Sequence, residues 1–462
     1  MTKAAIPSYM DKHLVSQDIP PGHRFGLYFP VWKDDWAKAD GEKTNALKKA
    51  TSLSDASIKL AKALQQRQQT IALQTDALGY FPAISTSPLM TGIGNEHPLE
   101  NGFAFLNPYG LPYLPGSSIK GVLRVAAEEL ALGLYGDTED WDMLKVWWLF
   151  GFDSGSAFLN AKSKPHNIDV LDEEVERRRQ AYQDWVKKAE YNQDSFSHFI
   201  KATVDRKAQA MFLGNPELFF SKQPEDLSNQ GTLRFWDVYP QSKTLEMDIL
   251  TPHHGGYFQG NNSPHDSEQP NPNVFLTVPP KSQFDFYCSC EIEKLPKDLQ
   301  ETWQKLIESA FVYAFDWLGF GAKTAVGYGQ MKKEPDAIQS WNDLKLKLKN
   351  DVEAELKGKE EANKAEIKRQ EEDARLAQLP QYLQDIAEIL KAKKDPNKKD
   401  YLVLIDAVKT GQWEGSDKQL VLEDIQARMQ DLKEWRPTTN KKDPAKDKEH
   451  IRTIDVIKLM SS

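Results

Sequence analysis

Between residues 300 and 318 the apolar residues Trp303, Leu306, Ile307, Ala310, Phe311, Ala314, Phe315 and Leu318 recur at steps of three and four. That spacing lines them along one helical stripe. It predicts a helix over Gln300–Leu318, which Gly319 stops as a C-terminal cap. Upstream, short runs rich in aromatic and branched residues read as strands: Phe25–Phe29, Thr232–Tyr239, Val274–Val278 and Gln283–Cys288. The mixture is an α+β pattern. Residues 155–230 form a charged, mostly helical insertion that includes consecutive Arg177, Arg178 and Arg179. Such a charge run is either a solvated helix face or a contact surface.

The pattern changes twice more. Residues 255–273 hold Gly, Asn, Ser, Pro and Asp with almost no apolar position after Phe258, which predicts a long mobile loop. From Trp341 the apolar residues Leu344, Leu348, Val352 and Leu356 keep a helical period, and after Gly358 little but charge and Ala remains until Leu376. This predicts a long exposed helix ended by Pro380. Three short amphipathic helices follow, Tyr382–Leu390, Leu420–Leu432 and Ile451–Leu459. The expected layout is a main domain over 1–334, a charged helical linker over 335–380 and a small all-α domain over 381–462.

Composition supports that division. After Glu334 fall 25 Lys or Arg and 26 Asp or Glu, so about 40% of that stretch is charged against about 23% of the rest. With 462 residues, 40% of them hydrophobic and 27% charged, the chain has the composition of a soluble protein of more than one domain. It holds no unbroken apolar run of membrane-spanning length, and Met1–Pro20 lacks the apolar run of a signal peptide. A cytoplasmic location without a membrane partner is expected. Cys288 and Cys290 fall on one face of a strand without a matching Cys or His pair, so buried thiols are expected and no metal or cofactor. The net charge of −9 runs against a polyanionic partner, although binding depends on local patches and not on the sum.

Four segments carry candidate chemistry. In Leu111–Arg124, Pro115-Gly116 makes a turn and Ser117 or Ser118 caps a helix whose other face carries Lys120 and Arg124. Cations at a helix N-terminus oppose its dipole, a conflict that a bound phosphate would reverse; the alternative is an ordinary capped helix with solvated cations. In Leu318–Met331, Gly319, Gly321, Gly327 and Gly329 permit close backbone approach, Lys323 and Thr324 offer a cation and a hydroxyl, and Tyr328 a stacking surface. The segment fits neither a P-loop nor a dinucleotide fingerprint, and its alternative is a glycine-rich turn. His253 and His254 are neighbours that point to opposite sides of an extended chain, which disfavours a shared metal and leaves hydrogen bonding or packing. Thr91–Pro98, with His97, reads as a polar turn or as part of an acid/base set.

Taken in order, Ser87–Pro98, Pro115–Arg124, Phe235–Pro240, Thr251–His254 and the glycine-rich loop resemble the RAMP superfamily of CRISPR proteins. More narrowly they are similar to the sixth-subunit family of the type III-B Cmr effector complex. The resemblance spans roughly Gly22–Met331. It implies an RRM-like (ferredoxin-like) palm with insertions, the loop after Tyr257 acting as a thumb-like element. It also implies a non-catalytic subunit that binds the 3′ part of CRISPR RNA and caps the backbone, with other Cmr subunits and target RNA as partners. The residues facing RNA would be Ser117, Ser118, Lys120, Arg124, His253, His254, Gly319, Gly321, Lys323, Thr324 and Tyr328. Other RAMP proteins process CRISPR RNA, so the alternative is a metal-independent endoribonuclease using His97, His253 or His254 as general acid or base.

Overall fold

The computed structural model describes residues 2–13, 16, 18–98, 101–152, 173–188, 191–221, 228–251, 263, 272–439 and 443–461 of the chain. They fall into two compact units, Met1–Lys347 and Leu348–Ser462.

In the first unit, α1 (Asp55–Gln74) starts at Ser54, whose hydroxyl accepts a hydrogen bond from the Ser57 amide. There follow β1 (Leu78–Ser85), α2 (Gly116–Ala131), α3 (Glu173–Lys188), β2 (Leu233–Phe235), β3 (Gln283–Cys290), α4 (Lys297–Tyr313) and β4 (Met331–Lys333). The four strands make one antiparallel sheet in the order β4-β1-β3-β2. Helices α2 and α4 connect the first strand to the second and the third to the fourth, and they pack on each other. The architecture mixes helices and sheet, as the hydrophobic pattern implies.

Strand alternation sorts the residues of β3 into two faces. Phe284, Phe286, Cys288 and Cys290 point toward the helices and are buried. Phe286 lies 5.3 Å from the ring of Phe311 on α4, and Phe81 of β1 stacks on Phe311 at 4.4 Å. The stripe read from the sequence thus fills the space above the sheet. Cys288 and Cys290 are free thiols there; burial pushes the Cys290 thiol up to about 11 and raises that of Cys288 well above its ordinary value. On the opposite face Tyr80 and Tyr287 stack at 5.2 Å, and Trp341 closes over both. Ala72 of α1 is buried in the same cluster.

Three elements differ from the sequence reading. Phe25–Phe29 is no strand: Pro21–Gly26 is a short helix, in which Pro at the first helical position suits the turn. Phe25 within the helix and Phe29 just beyond it are both buried. The central strand β1 lies outside the runs singled out from the sequence, because Gly79 and Pro82 interrupt its alternation. Pro82 is tolerated where β4 has ended; there its carbonyl accepts from the Glu334 amide. Within the insertion, the helices at Gln193–Thr203, Arg206–Gly214 and Pro216–Ser221 bury Phe196, Phe199, Phe212, Phe219 and Phe220. Phe199, Phe219 and Phe220 lie against Trp147 from Met143–Phe150, and Phe196 and Phe212 pack on Phe219, so an aromatic core lies beneath the charged surface.

The arginine triplet on α3 is not a simply solvated face. Arg178 pairs with buried Glu129, Arg177 lies over the Tyr135 ring at 4.6 Å, and Arg179 pairs with Glu176 at 3.3 Å. Sequence spacing does not reveal such pairings, since the partners of Arg177 and Arg178 lie more than forty residues away.

The helix α5 (Pro335–Ala377) is continuous and exposed along most of its length. In the second unit, α6 (Gln381–Lys391), α7 (Asp400–Lys409), α8 (Gly415–Asp431) and α9 (Lys448–Met460) enclose a small core of Tyr401, Leu404, Val421, Leu422, Ile425, Met429 and Val456. Helix α7 is additional to the three read from the sequence. It contributes four of the buried side chains, and its short, largely apolar sequence shows little period. The Tyr401 hydroxyl donates to Glu434 at 2.6 Å.

His97 stacks on Phe25 at 3.7 Å, and its Nε2 lies 2.8 Å from the Phe25 carbonyl oxygen, which only accepts, so Nε2 carries the proton. Burial lowers its pKa below the usual 6.5, outweighing the opposite effect of that hydrogen bond. The unfolded chain therefore takes up the proton first, and stability complete above the ordinary value is lost as pH falls through it. His97→Phe, which retains the stack, should flatten the fall in melting temperature between about pH 7 and about pH 5; an unchanged acid limb would refute the coupling. Phe311→Ala should cost about 3–5 kcal/mol in urea unfolding, and a loss below about 1 kcal/mol would place Phe311 outside the core.

Candidate nucleic-acid interface

Helix α2 begins one turn earlier than its serines would direct. Pro115 stands at the N-cap without a side-chain cap, and the Gly116 amide donates to Oδ1 of Asp237 at 2.8 Å. Ser117 and Ser118 fall inside the first turn, exposed, where their hydroxyls do not cap the helix. The expected serine cap is thus replaced by a carboxylate from the segment after β2, which suits the positive end of the helix dipole. A β-carbon at Gly116 would come within 2.2 Å of the Phe235 carbonyl oxygen, so that close approach requires glycine. Asp237 holds one of the amides that a phosphate at this helix end would use.

Along α2, Ile119, Leu123, Ala126 and Leu130 are buried and Lys120 and Arg124 lie on its partly exposed side. Arg124 donates from Nε to Glu128 at 2.9 Å. Glu128 is buried, and burial raises its carboxyl pKa against the opposing effect of Arg124. Removing that arginine would leave a buried carboxylate without its nearest cation, at a cost of about 3–5 kcal/mol. Arg124 therefore has a structural task that its spacing from Lys120 does not announce.

The π-helical turn Ala314–Leu318 extends α4 and packs on α2, bringing both candidate segments to the same helix layer. From it the chain enters the glycine-rich loop. Phe320 is fully buried, its ring 5.1 Å from Phe286, while its amide donates to the Gly329 carbonyl at 2.9 Å. Gly329 donates in turn to Pro88, and Ala322 to Met90. A β-carbon at Gly321 would sit 2.0 Å from the Met90 oxygen, and one at Gly329 only 1.8 Å from the Phe320 oxygen. These glycines bring the loop against its own chain, at the segment that leads into Thr91–Pro98. A β-carbon at Gly319 would meet Tyr328, Thr324 and Gln330 less closely, but its φ of +68° favours glycine.

What emerges at the surface is the tip 323–327. Lys323 is exposed in the left-handed region at φ +57°, uncommon for a residue with a β-carbon. Thr324–Val326 form a single 3₁₀ turn, and Val326 is 65% exposed. Tyr328 is turned inward: its hydroxyl donates to Asp248 at 2.7 Å and its ring meets Phe275 edge-on. Burial and Asp248 push that phenol up to about 12. His253 and His254, with the loop that follows them, lie outside the described residues. Asp237, Asp248 and Glu128, which hold the candidate groups in place, gave no signal of those roles in the sequence, although Asp237 stands within one of the ordered motifs.

The RAMP superfamily matches residues 84–332, a stretch that takes in both candidate segments. A Cmr6 subunit of the CRISPR Cmr system of Pyrococcus furiosus is 26% identical over 272 residues, covering 56% of this chain and 70% of that protein. Among solved structures, one of a type III-B Cmr-beta complex bound to cognate target RNA aligns at TM-score 0.33 and 15% identity, over 66% of this chain and 78% of the other. The crystal structure of Cmr6 from Pyrococcus furiosus aligns at TM-score 0.24 and 23% identity, over 56% and 98%. With more than half of its length matched, the chain belongs to the RAMP superfamily.

Proposed function

We propose that the chain is a non-catalytic, RNA-binding subunit of a type III-B CRISPR effector complex. In that role it holds the 3′ part of the CRISPR RNA, caps the protein backbone in the cytoplasm and works beside other Cmr subunits on target RNA. Family membership and the likeness to a Cmr6 subunit support the complex. The order β-α-β-β-α-β with strands arranged β4-β1-β3-β2 supports an RRM-like palm.

The observation that carries the RNA reading is the exposed tip at Lys323, held out from the core by buried Phe320. In an RRM, bases stack on aromatic residues of the sheet. Here Trp341 covers Tyr80 and Tyr287, which moves the RNA surface from the sheet to the loop. Lys323 and, on α2, Lys120 are its cations, and the backbone of Gly319–Thr324 gives it shape.

Each phosphate-contacting lysine contributes to the salt dependence of binding. Lys120→Ala and Lys323→Ala in the full chain should each weaken CRISPR RNA binding and reduce the log–log salt slope by about 1. Unchanged affinity and slope in both would remove the RNA surface from these segments. End-labelled CRISPR RNA incubated with the isolated chain should stay intact; cleavage would turn the reading to an endoribonuclease.

A further inference from the structure

On the side of α4 away from the sheet lies a cleft of about 460 Å³ that the RNA reading does not use. Its walls are the C-terminal end of α2, the loop 133–140, the outer face of α4, the π-helical turn and β4. Two aromatic residues stand open at it: Trp317 is 73% exposed and Tyr135 is 55% exposed. Trp317 lies off the buried stripe of the helix: Ala314 and Phe315 are buried while Asp316 and Trp317 face out, and the turn closes with a hydrogen bond from the Gly319 amide to the Ala314 carbonyl at 2.8 Å.

The charge of the cleft is one-sided. Five carboxylates line it against two lysines. Both lysines are already neutralised, Lys333 by Glu308 at 2.8 Å and Lys305 by Asp140 at 2.9 Å. Asp137, Glu139 and Asp316 line the cleft without an ion pair among the described residues. Such a surface repels phosphate and attracts a cation.

The cleft's inner wall shows which cation suits it. Arg177 of α3 lies over Tyr135 and hydrogen-bonds its hydroxyl, and Arg178 pairs with Glu129, which also accepts from Tyr313 at 2.8 Å. One arginine on an aromatic face and one on a carboxylate are thus already seated here. Trp317 and Asp316 repeat the same pair of groups, aromatic beside acid, on the outer wall.

We propose that the cleft is a docking site for a protein partner that inserts an arginine between Trp317 and the carboxylates of Asp137 and Asp316. The planar guanidinium satisfies both needs at once, stacking on the indole and donating two parallel hydrogen bonds to a carboxylate. Tryptophan is enriched among the residues that dominate protein interfaces. The surface is separate from the RNA-facing tip in chemistry, so loss of one leaves the other intact.

The test uses the full chain labelled with 5-fluorotryptophan, the Trp317 signal being assigned by its absence in Trp317→Phe. Titration with the peptide acetyl-Leu-Arg-Leu-Arg-amide should shift that fluorine resonance saturably. The Asp137→Lys/Asp316→Lys chain should need about tenfold more peptide or greater, with the resonances of buried Trp147 and Trp303 unchanged as the control for folding. The glutamate counterpart of the peptide and a hexauridylate should leave the signal in place. No shift with the arginine peptide, an equal shift with either control, or an unaltered response in the double variant would overturn the proposal.

Discussion

The burial of Phe320 is the contact on which the proposed RNA-facing surface depends. Its ring lies 5.1 Å from Phe286, 6.3 Å from Phe311 and 5.7 Å from Phe315, so the core of the sheet and helices extends into the glycine-rich loop. A fully buried phenylalanine contributes about 1.5–3 kcal/mol, enough to fix an otherwise open loop. Anchored there, the loop passes Met90 and returns to Gly329 by a route that leaves no room for β-carbons at Gly321 and Gly329. The π-helical turn that carries exposed Trp317 precedes this anchor in the chain, and the exposed tip at Lys323 follows it.

Charge is managed locally. Glu128 and Glu129 are buried side by side near the end of α2, a position that would be costly without cations. Arg124 reaches one from the same helix and Arg178 the other from α3, with Tyr313 adding a hydrogen bond. The insertion is thereby tied to α2 by the Arg178–Glu129 ion pair as well as by its aromatic core. A chain with net charge −9 can hold both a cationic tip and an acidic cleft because each is set by its own neighbours.

These two surfaces give the chain complementary tasks under the proposed function. The tip presents a cation and exposed backbone to a polyanion, whereas the cleft presents aromatic and acidic groups to a protein. Separation of this kind lets a subunit at the end of a ribonucleoprotein hold RNA and a neighbour without competition between them. Covering Tyr80 and Tyr287 with Trp341 also removes a rival base-stacking surface from the sheet.

The sequence by itself determined the elements whose burial is periodic. The stripe from Trp303 to Leu318 gave one helix over the span where α4 and then the π-helical turn lie, the alternation of Gln283–Cys288 gave most of β3, and the amphipathic segments after Pro380 gave three of the four helices there. The ordered motifs were sufficient to point to the superfamily. Tertiary structure decided what depends on distant partners. Strand β1 exists despite Gly79 and Pro82 because β3 and β4 pair with it on either side. Asp237 displaced the serines as the cap of α2, Glu128 claimed Arg124, Asp248 drew Tyr328 inward, and Arg178 and Arg177 found their partners on α2 and its following loop. Periodicity reports which side of an element is buried; it carries no information on which residue, tens or hundreds of positions away, will meet the polar groups left on the other side.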